Sequence, residues 1–365
     1  MSDAIVKTFG PDVYADRIKR AQALVHERGL SGLIIGTGSE FAYFTGSWMQ
    51  SHERLTALVI PAEDAPWVVV PLTDAESLAA DGVSIRGWRD GDDSYALATQ
   101  GLRPGTVGFG SSLTANHVFR LQQLVDDSVL AVEVLAELFM VKDAAELEQL
   151  DFAGRAIDRV HDVVPELLQP GRTERAVAQD LERLILKEHD AVDFVIVGSG
   201  PNGANPHHDF SDRVLEEGDS VVVDIGGTVG VGYHSDCTRT YQVGEITDPE
   251  FLAAYDAVRL AQEAACQAVK PGVSAADLDA VARGIITQAG FGDLFTHRLG
   301  HGIGLAGHEE PFIIQGNDQT LQECMTFSIE PGVYKPGAWG IRIEDIVAVT
   351  SKSVRYFNFQ PKDLR

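Results

Sequence analysis

Four carboxylates and one imidazole are the residues of this chain most suited to chemistry, and each stands in a local pattern that would press it into a shared site. Val221-Val222-Val223-Asp224 reads as a buried strand that ends in an acid. A carboxylate there is costly unless it is paired or bound to a cation. The Gly-rich stretch Gly226–Gly232 then leads to Tyr233-His234-Ser235-Asp236-Cys237-Thr238-Arg239-Thr240. A hairpin would bring Asp224 and Asp236 together, and two such groups repel unless a cation or proton intervenes. The plainer alternative is a turn aspartate at 224 and an Asp236–Arg239 ion pair. Next comes His297-Arg298-Leu299-Gly300-His301-Gly302-Ile303-Gly304. Glycine on both sides of His301 allows close backbone approach, and imidazole is a good ligand for Mn, Co, Zn or Fe. Any single histidine is more often a satisfied core or surface residue, but six of the eleven histidines fall between His207 and His308. Finally, Ser328-Ile329-Glu330-Pro331-Gly332-Val333-Tyr334 reads as strand then turn, and Ile341-Arg342-Ile343-Glu344 as an alternating strand. Arg342 and Glu344 are two apart and share a face, where a simple ion pair is the ordinary outcome.

Taken together, Asp224, Asp236, His301, Glu330 and Glu344 would balance two divalent cations and leave a nearly neutral site. Oxygen-rich ligation with a single nitrogen suits Mn²⁺ or another fairly hard ion, with Co²⁺, Zn²⁺ or Fe²⁺ as alternatives. Two such ions about 3.5–4 Å apart would acidify a water and polarise a carbonyl.

The elements that must position these residues form two α/β segments. In the first, Tyr14–Glu27 has an apolar stripe (Ile18, Ala21, Leu24, Val25) and predicts a helix closed by Gly29. Short apolar strands follow at Gly32–Ile35, Thr56–Ile60, Trp67–Val70 and Gly105–Gly110, the alternation of a mixed sheet flanked by helices. Lys142–Leu168 predicts one long helix, with Asp143-Ala144-Ala145-Glu146 at its start. The domains are therefore expected at 1–140 and 141–365. The second contains a repeat. Pro170-Gly171-Arg172-Thr173 recurs 101 residues later as Pro271-Gly272-Val273-Ser274, and His207-His208 recurs at the same offset as His308-Glu309. In each copy the Ser or Thr is a plausible N-cap, and each copy ends in a strand–turn–strand carrying two acids. This predicts two halves facing each other across one cleft.

Composition narrows the partners. The chain has 365 residues, 44% hydrophobic and 23% charged, with a formal net charge of −25. Such a surface repels nucleic acid and anionic membranes. No apolar run approaches the roughly 18 residues expected of a membrane helix. The three cysteines lie far apart with no C-x-x-C pair, which fits a reducing cytoplasm and argues against a disulfide framework or structural zinc.

The ordered set D-x-G, S-D-x-T-R-T, H-x-x-G-H-G-I-G, I-E-P-G and R-I-E-D resembles the pita-bread metallopeptidases, namely methionine aminopeptidase, aminopeptidase P and prolidase. The resemblance spans nearly the whole chain and is strongest over 197–349. Phe41-Ala42-Tyr43-Phe44-Thr45-Gly46 resembles a stretch of the N-terminal domain shared by prolidase, aminopeptidase P and creatinase, which methionine aminopeptidases lack. Creatinase in turn lacks the metal ligands. The resemblance implies a creatinase-like α/β domain followed by a duplicated, pseudo-twofold pita-bread catalytic domain. It implies that Asp224 binds one ion, that His301 and Glu330 bind the other, and that Asp236 and Glu344 bridge them. It places His207 near the substrate amide and His297 in the substrate pocket. His308 would steady the tetrahedral intermediate, Arg342 and Tyr334 would support the site, and Glu330 would shuttle a proton. The implied reaction is hydrolysis of the bond between an N-terminal residue and a following proline in a small peptide, foremost as an Xaa-Pro dipeptidase in a cytoplasmic homodimer. The alternatives are an aminopeptidase P acting on longer peptides and a non-catalytic binding protein of the same fold. Two departures stand out: Asp224 and Asp236 are twelve apart where the family more usually has eleven, and Phe139-Met140-Val141-Lys142 stands where the family often has arginine.

Overall fold

The computed structural model describes residues 5–78 and 82–365. The chain divides into two compact units at Phe139/Met140. In Val6–Phe139 a six-stranded mixed sheet has the order β4-β3-β2-β1-β5-β6, formed by β1 (Gly32–Gly36), β2 (Ala57–Pro61), β3 (Trp67–Pro71), β4 (Ser84–Trp88), β5 (Thr106–Phe109) and β6 (Asp127–Leu130). The first three are buried along their whole length. Their unbroken apolar runs are those of strands covered on both faces. Helices α1 (Pro11–Glu27), α2 (Ser39–Thr45), α3 (Ser94–Thr99), α4 (Ala115–Leu121) and α5 (Val132–Met140) complete the unit's element order. Helix α1 starts three residues before the expected Tyr14 because Pro11 occupies its first position, where no N–H is needed. Gly29, at φ +66, follows its end.

The second unit begins with α6 (Ala144–His161), capped by a box in which Asp143 and Glu146 exchange side-chain and backbone bonds. The single helix expected over Lys142–Leu168 is in fact two. Helix α6 stops at His161, and a short α7 (Val164–Leu167) follows with Pro165 in its first turn. Pro165 has no N–H to continue the ladder of α6, so the chain turns at Asp162–Val163. Helix α8 (Glu174–Glu188) then leads into β7 (Ala191–Ser199), β8 (Ser220–Val229), β9 (Tyr233–His234) and β10 (Cys237–Gln242), a sheet with β8 at its centre. Helices α9 (Pro249–Ala268) and α10 (Ala275–Gln288) precede β11 (Gly300–Gly302), β12 (Glu309–Ile313), β13 (Thr326–Ile329), β16 (Asp345–Val349) and β17 (Val354–Tyr356), ordered β12-β11-β13-β16-β17. A separate ribbon pairs β14 (Gly332–Lys335) with β15 (Trp339–Arg342).

The repeat is visible bond for bond. Thr173 caps α8 by accepting from Ala176 N, and Ser274 caps α10 by accepting from Asp277 N. Gly171 and Gly272 hold φ +90 and +91, the left-handed region that only glycine enters without cost. Gly171 N bonds Leu215 O at 2.9 Å, and Gly272 N bonds Leu321 O at 3.0 Å. Glu174 N and Ala275 N likewise bond Arg213 O and Gln319 O. One local sequence solution therefore starts both helices and ties each to a returning segment through an isolated β-bridge, Thr173 with Val214 and Ser274 with Thr320.

Candidate metal centre

Strand β8 carries Asp224 in its interior, not at its end as the apolar run suggests, because Ile225–Val229 continue the pairing. The register Asp224↔Thr238 and Ile225↔Cys237 stays in phase with Thr228↔His234 and Val229↔Tyr233 across Ser235 and Asp236, which belong to neither strand. Opposite residues share a face, as do residues two apart. Thr238 and Asp236 therefore lie on the face of Asp224. The additional residue is taken up in the tip, where Gly230 (φ +61) and Gly232 (φ +114) make the turn and Gly232 N bonds Val229 O at 2.8 Å. The second half supplies the rest. A Cβ on Gly300 would lie 1.9 Å from Ser328 O, and one on Gly302 would lie 2.2 Å from Glu310 O, so glycine on either side lets His301 sit between neighbouring strands. Glu330 follows β13, and Glu344 lies between β15 and β16.

These residues meet. Three trios offer ligand atoms within 4.8 Å of one another: Asp224, Asp236 and Glu344; His301, Glu330 and Glu344; and Asp236, His301 and His308. Glu344 belongs to two of them, and so does Asp236. His301 Nε2 is 3.3 Å from Glu330 Oε1 and 3.8 Å from Asp236 Oδ2. Its Nδ1 is 3.0 Å from Gly302 O, a partner that can only accept. That fixes the proton on Nδ1 and leaves the Nε2 lone pair facing the acids. Burial lowers the His301 pKa to about 3, so the ring is neutral.

The electrostatics are unbalanced. Burial, followed by the charges of Glu344, Asp224 and Glu330, lifts Asp236 well above the usual carboxylate range. Burial and the charges of Glu330 and Asp224 do the same to Glu344. Glu330 is pushed up to about 7, mainly by burial, with Arg342 acting against the rise. Asp224 Oδ1 is buried without a hydrogen-bond partner. An orphaned acceptor beside like-charged carboxylates is the donor set expected of a cation nest. The residues present therefore fit divalent ions, which would satisfy Asp224 Oδ1 and remove the repulsion.

The supporting side chains form two chains of bonds. Thr238 Oγ1 donates to Glu344 Oε2 at 2.6 Å and accepts from Arg342 Nε at 3.0 Å. Ser328 Oγ donates to Glu330 Oε1 at 2.9 Å and accepts from His301 N at 3.0 Å. Arg342 pairs with Asp224 Oδ2 at 2.7 Å, not with Glu344 two residues on. It also donates to Tyr334 Oη at 2.8 Å and to Pro206 O at 3.3 Å. Tyr334 is 3.0 Å from His297 Nε2, and His297 Nδ1 is 2.7 Å from Arg298 O. The protons therefore run Arg342 to Tyr334 to His297, and His297 stays neutral, its pKa lowered to about 4 by burial. His308 is exposed, with its ring centroid 3.9 Å from that of His301. His207 is also exposed, on the segment that Arg342 holds through Pro206.

Motif reading did not single out Thr238 or Ser328, although each is two residues from a candidate ligand on a strand and so must share its face. It also paired Arg239 with Asp236 as an alternative. Arg239 turns to the opposite face and bonds Asp345 at 2.6 Å.

The pattern of metallopeptidase family M24 matches residues 148–351, and that of the creatinase/prolidase N-terminal domain matches residues 17–138. The crystal structure of dipeptidase PepE from Mycobacterium ulcerans is similar at 49% identity and a TM-score of 0.95, with 98% of each chain covered. Xaa-Pro dipeptidase of Lactobacillus delbrueckii subsp. lactis is 34% identical over 95% of this chain and 98% of its own. The crystal structure of recombinant prolidase from Thermococcus sibiricus is 34% identical with a TM-score of 0.90, covering 96% of this chain and 98% of that one. A prolidase-type α/β domain, a duplicated catalytic-type unit and a nest of acids around one neutral histidine thus coincide with sequence matches along nearly the full length: this chain belongs to metallopeptidase family M24.

Proposed function

We propose that the second unit, taken as 141–365, is the catalytic domain, and that it hydrolyses the bond between an N-terminal residue and a following proline, with Xaa-Pro dipeptides as its main substrates. The observation that supports this best is the pair of ligand trios sharing Glu344, read beside relatives named Xaa-Pro dipeptidase and prolidase. In this reading Asp224 serves one ion, His301 and Glu330 serve the other, and Asp236 and Glu344 serve both. Two divalent ions held there would supply an acidified water and polarise the scissile carbonyl. We take Mn²⁺ as the native ion, because four carboxylates and one imidazole make an oxygen-rich set.

The chain's own residues do the rest. The acids draw the substrate's free amino group, which confines cleavage to the N-terminal residue. Glu330 would take a proton from the acidified water and pass it to the leaving nitrogen. His308, exposed beside His301, can donate a hydrogen bond to the oxygen that gains charge. His207 faces the amide being cut. His297, fixed as a neutral acceptor by Tyr334, lines the pocket. Arg342 and Tyr334 hold Asp224, Pro206 and His297 in register. A cytoplasmic location agrees with three unpaired cysteines, and no helix among the described residues is long and apolar enough to cross a membrane. A homodimer is inferred from the resemblance to prolidases.

Hydrolysis of Ala-Pro and Ala-Pro-Ala, in Mn²⁺ and after chelation, tests the reading. Chelator-sensitive cleavage of the dipeptide is expected. Preferential cleavage of the tripeptide would reassign the chain to the aminopeptidase P activity, and cleavage of neither with two ions bound would remove the proline assignment.

A further inference from the structure

His308 must meet an oxygen at hydrogen-bond distance, yet it is exposed and ends the loop that joins β11 to β12. That loop has to be held, because a misplacement of about 1 Å at a reacting group can cost about 100-fold in rate. On one side of His308, Glu309 pairs with the buried Lys142. On the other side the hold comes from the first copy of the repeat, through His234 in β9.

His234 meets the loop at three points. Its backbone N–H donates to Gly304 O at 3.0 Å. Its Nε2 is 3.2 Å from Leu305 O, an oxygen that can only accept, so Nε2 carries a proton. A Cβ on Gly307 would lie 3.9 Å from its Nδ1, so the chain passes the ring closely again just before His308. The ring is aimed by Asp193, whose Oδ2 is 2.6 Å from Nδ1. Asp193 is free to do this because β7 shifts register against β8 between Val192 and Phe194, and the residue at a bulge is re-aimed out of the strand's alternation. Thr228, opposite His234 in the hairpin, donates to the other oxygen, Oδ1, at 3.4 Å. No step of the hydrolysis needs Asp193 or His234 to touch the substrate. Their side chains are 20% and 21% exposed, so the pairing adds little to stability and placement is the better account of it. The tie also joins the two copies at the centre. Asp236 follows His234 by two residues, and His308 follows Leu305 by three, with its ring centroid 3.9 Å from that of His301.

We propose that His234, aimed by Asp193, is a positioning residue that fixes the β11–β12 loop and so sets His308 over the acidic cluster. This rests on the part given to His308 above and deepens it. The oxyanion donor comes from the second copy of the repeat, but its place is set by a side chain of the first.

The test is a double-mutant cycle on the Mn²⁺-loaded protein with Ala-Pro, joining His234→Phe and His308→Ala. His308→Ala alone should lower kcat about 100- to 1,000-fold. His234→Phe keeps a ring but no ring N–H, and should lower kcat about 10- to 100-fold, with KM within about threefold and two ions still bound. In the His308→Ala background the same change should cost less than about threefold, because no donor is left to place. His234→Gln, which still offers an N–H to Leu305 O, should recover most of the loss. Should His234→Phe fail to fold, Asp193→Asn takes its place in the cycle with the same expectation of non-additivity. A readout independent of turnover is NMR of the metal-free protein labelled in histidine. The His308 ring signals, identified through His308→Ala, should shift in His234→Phe and return in His234→Gln. Losses that multiply in the double variant, a loss of bound metal, or unmoved His308 signals overturn the inference and leave the Xaa-Pro reading standing. A His308→Ala enzyme with full kcat removes the role of His308 and the inference together. If Ala-Pro is not cleaved at all, the Xaa-Pro reading fails and the NMR comparison decides the placement by itself.

Discussion

Glu344 and Asp345 are adjacent, are 2% and 0% exposed, and live under opposite electrostatics. Glu344 faces the acids and is held well above its ordinary pKa. Asp345 faces the other way. Burial alone would raise it, yet Arg239 and Lys362 bring it below its ordinary value. Asp345 is fully answered there: it takes Arg239 at 2.6 Å, Lys362 at 2.7 Å and Gln262 at 2.9 Å. Arg239 also donates to the carbonyls of Glu344, Gln360 and Pro361, which stitches the C-terminal tail to the segment that bears Glu344. In front, three acids sit above their ordinary pKa and one oxygen has no partner. The pairings of Asp345 are complete as folded, whereas the front cluster becomes complete only with added positive charge.

The sharpest way to separate the two regions is to neutralise each member of the pair. Glu344→Gln should lower activity by more than the roughly 100-fold that loss of an outer metal partner can cost, and should lose bound metal. In the metal-free protein the same change should raise stability, by about 1 kcal/mol or more, since it removes a repelled charge. Full activity with both ions bound would sink the bridging role. Asp345→Asn should do the reverse. It leaves Arg239 buried and short of charge, at a cost of about 3–5 kcal/mol in denaturant unfolding, whether or not metal is present.

Glu174 tests whether satisfied acids elsewhere behave like Asp345. It is fully buried and accepts from Ser199, Asn202, His208 and Ser211. Burial would raise it, but these bonds take its pKa down to about 2. A depressed folded pKa contributes stability above the unfolded value of 4.5 that is lost as pH falls toward 2. Glu174→Gln should therefore cost about 3 kcal/mol at neutral pH and flatten the acid limb of the stability profile over that window. An unchanged acid limb would show that the hub does not hold the charge. The smallest effect belongs to Thr238→Val, which removes the hydroxyl between Glu344 and Arg342. Metal affinity should fall about 10- to 100-fold with little change in the melting temperature.

The front cluster was largely legible in the sequence, because acids at strand positions are spaced by face and short glycine-flanked motifs mark them and His301. The helix starts at Thr173 and Ser274 were legible for the same reason, since capping is local. What could not be read was long-range pairing. Nothing near Arg239 says that its partner is Asp345, or that Arg342 reaches back to Asp224. The tail from Phe357 to Arg365 carries no motif, yet its carbonyls hold Arg239. The break between α6 and α7 was signalled by Pro165 but hidden by a continuous apolar pattern.

The central claim is that the front cluster is a nest for two divalent ions. Calorimetric titration of the chelated protein with Mn²⁺ near pH 7, repeated in buffers of different ionisation enthalpy, tests it directly. Two ions per chain should bind with net release of protons, because Asp236, Glu330 and Glu344 are held above their ordinary pKa and must give up protons to the metal. Binding of one ion or none, or two ions bound with no proton release, would contradict it.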